Sequence, residues 1–304
     1  MPINTADFSM SAIKEVEPGV VPTTGSRVEV PIKTDQAPPV LTTAQIEDDT
    51  KRPNREGNAA ASGHSMVELE LSLVSRGGEL IDMLIESAIS GEFDGSDIAK
   101  GSDKDSTFTI FSTLKSGNAG QALVYVDSGC MVRSWSVTAT AKEGAEVSFG
   151  ILGTKREEEE TESALPLIKT PDTAVRHLYS DVTVTVGDQE LAYSSLEFST
   201  EQERDVRVIL GQIAANDIYT SGTRTTSLTI KAYRESFAVN ALANTNMPVE
   251  FTIGTAGNGY KITLPFAKLM TPTDELDDSG LLVNLEFNAG FDNTTEAGII
   301  VERL

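Results

Sequence analysis

Apolar and polar residues alternate with period two along most of this chain, the mark of strands that bury one face. The clearest run is Val67-Glu68-Leu69-Glu70-Leu71-Ser72-Leu73, apolar at every odd position. The same rule holds at Val182/Val184/Val186, Leu228/Ile230, Val249/Phe251/Ile253, Tyr260/Ile262/Leu264 and Leu281 to Phe287. Turn signals separate the runs: Ser116-Gly117-Asn118, Val186-Gly187-Asp188, Gly257-Asn258-Gly259 and Asp278-Ser279-Gly280. Many short strands at this spacing predict a mainly β protein, a sandwich or a barrel.

Two segments carry a helical period instead. Between Glu79 and Ile89 the apolar residues 81, 84, 85, 88 and 89 form one stripe, with Gly91 as the expected terminator. Between Arg234 and Asn244 a shorter stripe runs through 237, 238, 241 and 242. Each follows an alternating strand, so the order strand, helix, strand occurs twice. That order predicts a first β domain over 26–153 and a second over 176–304, each with one short α-helix. Thr154-Lys155-Arg156-Glu157-Glu158-Glu159-Glu160 opens a charged stretch that ends near Pro171, and 154–175 is expected to be an exposed acidic linker. Residues 1–25 read as an N-terminal arm that orders on a partner. The polar segment 47–66 is too long for an ordinary hairpin turn and reads as a functional or disordered loop.

Composition narrows what the chain can do. Among 304 residues there are 2 His, 1 Cys and 1 Trp, too few for a zinc site or an internal disulfide. No stretch reaches the roughly 18–20 apolar residues that cross a bilayer. Met1 to Asp7 has neither the basic nor the apolar region of a signal peptide, which predicts synthesis without a cleavable signal. The net charge of −22 argues against a module that grips nucleic acid. It fits either plain solubility or a surface past which a polyanion slides; composition leaves both open.

Candidate chemistry is thin. His64 and His177 have no second ligand at metal spacing, and Cys130 has no nearby His. Thr255 to Gly259 has the glycines of a phosphate loop but leads into a strand, as a hairpin turn does. The run Glu157 to Glu160 points its carboxylates in different directions, and Asp274 to Asp278 lacks the spacing of a calcium loop. The serine-hydrolase elbow does not occur. No catalytic, cofactor-binding or metal residue is assigned, and no enzyme is expected.

The segment from Ile46 to Phe93, with Ala61-Ser62-Gly63, the strand Val67–Leu73 and the helix Leu80–Ile89, resembles the first domain of major tail tube proteins of long-tailed, siphovirus-type bacteriophages. Phe108-Thr109-Ile110, Tyr125 to Val132, Ser134-Trp135-Ser136-Val137 and Val147-Ser148-Phe149 continue the likeness. In the second half, Val208 to Ala214 and the loop running to Gly222, followed by Thr226-Ser227-Leu228-Thr229, are similar to the family's ring-to-ring loop and next strand. The likeness spans roughly residues 26–304.

The resemblance implies two tandem tail-tube-like β domains in a structural subunit of the virion tail, made in the host cytoplasm. It implies homo-oligomeric rings, either homotrimeric pseudo-hexamers or homohexamers, whose inner sheets form a barrel around an acidic channel. The rings stack through loops such as 47–66 and 199–223, and DNA passes the channel without specific binding during ejection. Tape measure and terminator proteins are the expected further partners, with no membrane and no cofactor. Glu68, Glu70 and Glu286 are candidate channel residues, with solvent or a subunit contact as the alternative positions for them. The alternatives are another virion or secretion-system tube or terminator ring, or a β-sandwich binding module; the shortage of aromatics weighs against sugar stacking.

Overall fold

A computed structural model describes residues 8–46, 61–93, 97–115, 122–162, 167–186, 192–234, 237–277 and 280–304. In chain order the first elements are β1 (Phe8–Lys14), β2 (Ser26–Val30), β3 (Val40–Ile46), β4 (Ala61–Val74), α1 (Glu79–Ile89), β5 (Ile98–Lys100), β6 (Phe108–Lys115), β7 (Ala122–Thr140) and β8 (Ala145–Gly153). There follow β9 (Lys155–Glu159), β10 (Ile168–Thr170), β11 (Val182–Val186), β12 (Tyr193–Arg207) and β13 (Asp217–Tyr233). The last are β14 (Asn246–Thr255), β15 (Asn258–Leu269), β16 (Thr273–Asp277), β17 (Gly280–Gly290) and β18 (Ile300–Arg303). The predicted alternation is realised: in β4, Val67, Leu69, Leu71 and Leu73 are buried while Glu70 is exposed.

One antiparallel sheet runs through both halves of the chain in the order β3-β4-β8-β7-β12-β13-β17-β16. Its centre is the pairing of β7 with β12, Ser134 to Thr140 against Ser195 to Glu201, which joins the halves. Behind it, β10-β2-β1-β6-β7-β9 forms a second layer in the first half. In the second half that place is taken by β11-β14-β15-β18-β5. The long strands β7 and β15 play the same part in each half. Their first segments pair in the back layer, and their later segments pair with β8 and β17 in the long sheet.

One large core fills the space between the layers and draws residues from both halves. Trp135 of β7 stacks on Phe149 of β8 at 6.4 Å and meets Phe198 of β12 edge-on at 5.0 Å, and Phe198 lies 5.3 Å from Phe251 of β14. Buried aromatics of this kind are worth about 3–5 kcal/mol each when truncated to Ala. The halves are thus welded by packing as well as by strand pairing.

The helix α1 forms as its stripe predicts, with Leu80, Ile81, Leu84, Ile85, Ala88 and Ile89 buried. Glu79 and Asp82 in its first turn suit the positive end of the helix dipole. It ends one residue before the expected glycine, with Ser90 in the left-handed conformation at φ 49°. Gly91 instead permits a close backbone approach, since a Cβ there would lie 2.3 Å from the carbonyl oxygen of Lys100. α1 has no basic residue in its last turn. Cations from the second half supply that charge. Arg204 donates to the Ser87 carbonyl at 2.9 Å and Arg224 to the Ile89 carbonyl at 2.5 Å.

Several expectations change. The second helix is a five-residue 3-10 turn, Ala238–Leu242, with 235 and 236 outside the described residues. Its stripe spans too few residues to offset helix nucleation, and it includes Val239 and Asn240, weak helix formers. The stretch 154–175 holds two strands, β9 against β7 and β10 parallel to β2. The outward Glu side chains of β9 leave its backbone free to pair, while Arg156 turns inward onto Asp127 at 2.7 and 2.9 Å. The arm contains β1, paired with β6 over its whole length. Of loop 47–66, residues 61–66 begin β4 and 47–60 lie outside the described residues. So do the turn at 116–118, Gly187-Asp188 and Asp278-Ser279.

Candidate assembly surface

The face of the long sheet turned away from the core is uncovered and polar. Directly opposed residues of antiparallel strands share a face, so the register can be read across as rows. One row is Ser72, Ser148, Ser136, Ser199, Ser227 and Asn288, one residue from each of six successive strands. Ser72 and Ser148 hydroxyls are 3.0 Å apart, and Ser199 and Ser227 are 2.8 Å apart. The row beside it reads Glu146, Thr138, Glu197, Thr229 and Glu286. On the other side lie Glu70, Gly150, Ser134, Glu201 and Thr225. No large apolar side chain stands in these three rows between β8 and β17.

The three carboxylates singled out from sequence, Glu68, Glu70 and Glu286, all stand on this face. Arg133 reaches Glu70 at 3.0 Å and Glu68 at 3.8 Å, and Asn284 donates to Glu286 at 2.9 Å. Sequence reading missed Glu146, Glu197 and Glu201, which join them. Cations lie among the acids: Arg133, Lys231 bridged to Glu275 at 2.8 Å, Lys33 bridged to Glu146 at 2.7 Å, and Lys268 opposite Asn288. The face is therefore acidic, carpeted with small hydroxyls between the carboxylates.

Both ends of the sheet have an open edge among the described residues, the second only along β16, because β15 takes the rest of β17. β3 pairs with β4 alone and β16 with β17 alone. The edges carry exposed aliphatic side chains: Val40, Leu41 and Ile46 on β3, Leu276 on β16 and Leu281 beside it. Such edges attract another strand unless something covers them. The strands alternate in direction across the sheet, so β3 and β16 run opposite ways. A β3 from a second copy laid against β16 would continue the antiparallel order.

At one end of the sheet β12 and β13 project as a hairpin. The segment 199–223, expected as a loop, is mostly strand, and only 208–216 turns. Gln212 N–H donates to the Ile209 carbonyl at 3.1 Å, and Gly211 takes φ 90°, which closes a tight turn around Leu210. The turn is held to β4 by Ser65 N–H to the Ile213 carbonyl at 2.8 Å and Ala215 N–H to the Ser65 carbonyl at 3.2 Å.

The remaining candidates are structural. His177 is buried, with Nδ1 2.9 Å from the Ser75 hydroxyl and Nε2 2.7 Å from the Asn258 carbonyl oxygen. Burial lowers its pKa below the usual histidine value. Nε2 then donates to the carbonyl and Nδ1 accepts from Ser75. His64 is half-buried in β4. Cys130 is fully buried, and burial, with the charges of Asp127 and Glu15, pushes its thiol well above its ordinary pKa. Thr255 to Gly259 forms the β14–β15 hairpin, Gly257 at φ 79°. Glu157–Glu159 and Thr273–Asp277 are strand residues. Among the described residues no group of three or more His, Cys, Asp or Glu could hold a metal ion.

A family model described as phage tail tube protein matches residues 5–289. No curated protein matches the chain.

Proposed function

The chain belongs to the phage tail tube protein family, and on that premise we propose that it closes into three-membered rings lined by the uncovered face of its long sheet. As a member of that family it is a structural subunit of the virion tail that assembles with itself and with other tail proteins. The observation that carries the finer reading is the eight-strand antiparallel sheet with open, oppositely directed edges and one acidic, hydroxyl-rich face.

In this reading β3 of one copy pairs with β16 of the next, a head-to-tail contact that closes as a ring. The strand pattern that recurs within the chain makes each subunit count twice, so three copies give pseudo-six-fold symmetry. The core side of the sheet is occupied, which leaves the Glu and Ser rows to line the channel. DNA phosphates passing through meet Glu70, Glu146, Glu197, Glu201 and Glu286 and are repelled rather than bound. Ser and Thr between them keep the wall wetted without apolar contact to the bases. The subunit's work is positional, and no catalytic step is assigned to it.

Accessibility of a thiol on that face tests the reading. In Ser199→Cys the introduced thiol should react with a small maleimide in both free subunit and assembled tube. A bulky polyethylene-glycol maleimide should react only with the free subunit. Equal labelling of tubes by the bulky reagent would place the face outside and overturn the assignment.

A further inference from the structure

We propose that successive rings lock by inserting Leu210 of one subunit into a crevice at the far end of β12 in a copy of this chain in the next ring. The proposal rests on the tube reading, in which 199–223 is a stacking segment, and adds the residue that inserts and the crevice that receives it. Leu210 is 101% exposed, at the outermost point of the β12–β13 turn. A fully exposed leucine on a loose loop would mean little. This one is fixed by the Ile209–Gln212 turn and by two hydrogen bonds to Ser65, so little ordering entropy opposes its docking.

The receiving site lies at the opposite end of the same strand. A crevice of about 80 Å³ opens where β7 ends and β12 begins, lined among others by Ala139, Ala141, Val182, Tyr193 and Leu196. It has the size of one aliphatic side chain, and its lining residues are uncharged. The turn is uncharged too: Val208 through Asn216 is nine residues without a charge, in a chain of net charge −22. Two copies of so acidic a molecule repel wherever their carboxylates meet, so charge-free patches at its two ends are where close approach is least opposed. Because knob and crevice sit at opposite ends of one strand, the contact is heterologous. It cannot close on itself between two copies and repeats as a filament along the strand direction. The broader groove of about 900 Å³ beside Arg224 and Phe291 lies at the same end as Leu210, so translation along β12 does not bring the two together.

The test uses the full chain with two variants. Leu210→Asp should leave the thermal transition and ring size unchanged, since the side chain touches nothing in its own subunit. It should lower the fraction of rings in tubes at least about tenfold at a concentration where the wild type is polymerised. The double variant Leu210→Cys with Ala141→Cys should give a non-reducing ladder of cross-linked subunits from tubes, whereas each single variant gives none; buried Cys130 supplies no background. Wild-type tubes together with normal Leu210→Asp tubes and no ladder would overturn the knob and leave the tube reading standing. Wild-type chain that forms neither rings nor tubes would remove the tube reading, and the knob with it.

Discussion

Single residues hold this molecule together at the seam between its halves. Arg204 is the foremost: its guanidinium is fully buried and donates to the Val132 carbonyl at 2.8 Å, the Ser87 carbonyl and Ser90 hydroxyl at 2.9 Å, and Asp105 at 3.0 Å. Burial lowers its pKa to about 10, so it stays charged at neutral pH. Arg204→Met should lower unfolding stability by roughly 3 kcal/mol, because two buried carbonyls lose their donor. A urea transition shifted by only a few tenths of a kcal/mol would contradict that role. His177 ties the segment before β11 to Ser75 and Asn258 as a neutral ring. Its folded pKa lies below the ordinary value near 6.5, so the unfolded chain binds the proton more readily. The stability it gives is complete above about pH 6.5 and drains away as pH falls from there through the lowered folded pKa. Urea midpoints measured from pH 7.5 to pH 5.5 should therefore fall more steeply for the wild type than for His177→Gln; identical slopes would remove His177 from the account. Neither residue was readable in advance as a clamp, since a lone Arg or His in sequence does not announce which carbonyls it meets 70 or more residues away.

At the scale of elements, legibility followed whether inward positions were apolar. β4, β11, β14, β15 and β17 showed themselves by alternation, and α1 by its stripe. β12 did not, because after Leu196 and Phe198 its inward residues Thr200, Gln202 and Arg204 are polar and serve hydrogen bonds instead of the apolar core. β9 was hidden by its charge: an edge strand needs only its backbone and one inward side chain, here Arg156. The pairing of β7 with β12 had no local signal at all, since register between distant strands is set by packing of Trp135 on Phe198 and not by either strand's pattern. The uncovered face was half legible. Glu68, Glu70 and Glu286 could be picked as outward residues, but the serine row emerges only when six strands are laid in register. The edges carry the element-scale prediction. Leu276 is 81% exposed on β16, so Leu276→Lys should leave the monomer's melting temperature unchanged while placing a charge at the edge. Size-exclusion chromatography should then show the subunit where the wild type shows rings. Rings of normal size from this variant would argue that β16 is not the closing edge.

For the whole molecule, the two halves are less separable than a charged stretch at 154–175 suggests. β5 of the first half completes the back layer of the second, β10 completes that of the first, and one large core spans both. Such interlocking suits a subunit that must stay rigid while its edges are pulled into a closed wall. Part of the acidity that composition could not interpret now has a location: Glu68, Glu70, Glu146, Glu197, Glu201 and Glu286 stand on the face that the core does not use. The most direct test is a cryo-electron microscopy map of the assembled tube. It should contain three chains per ring, β3 of each paired with β16 of its neighbour, and the Ser72-to-Asn288 row facing the channel. Six chains per ring, or that row on the outer surface, would contradict the account.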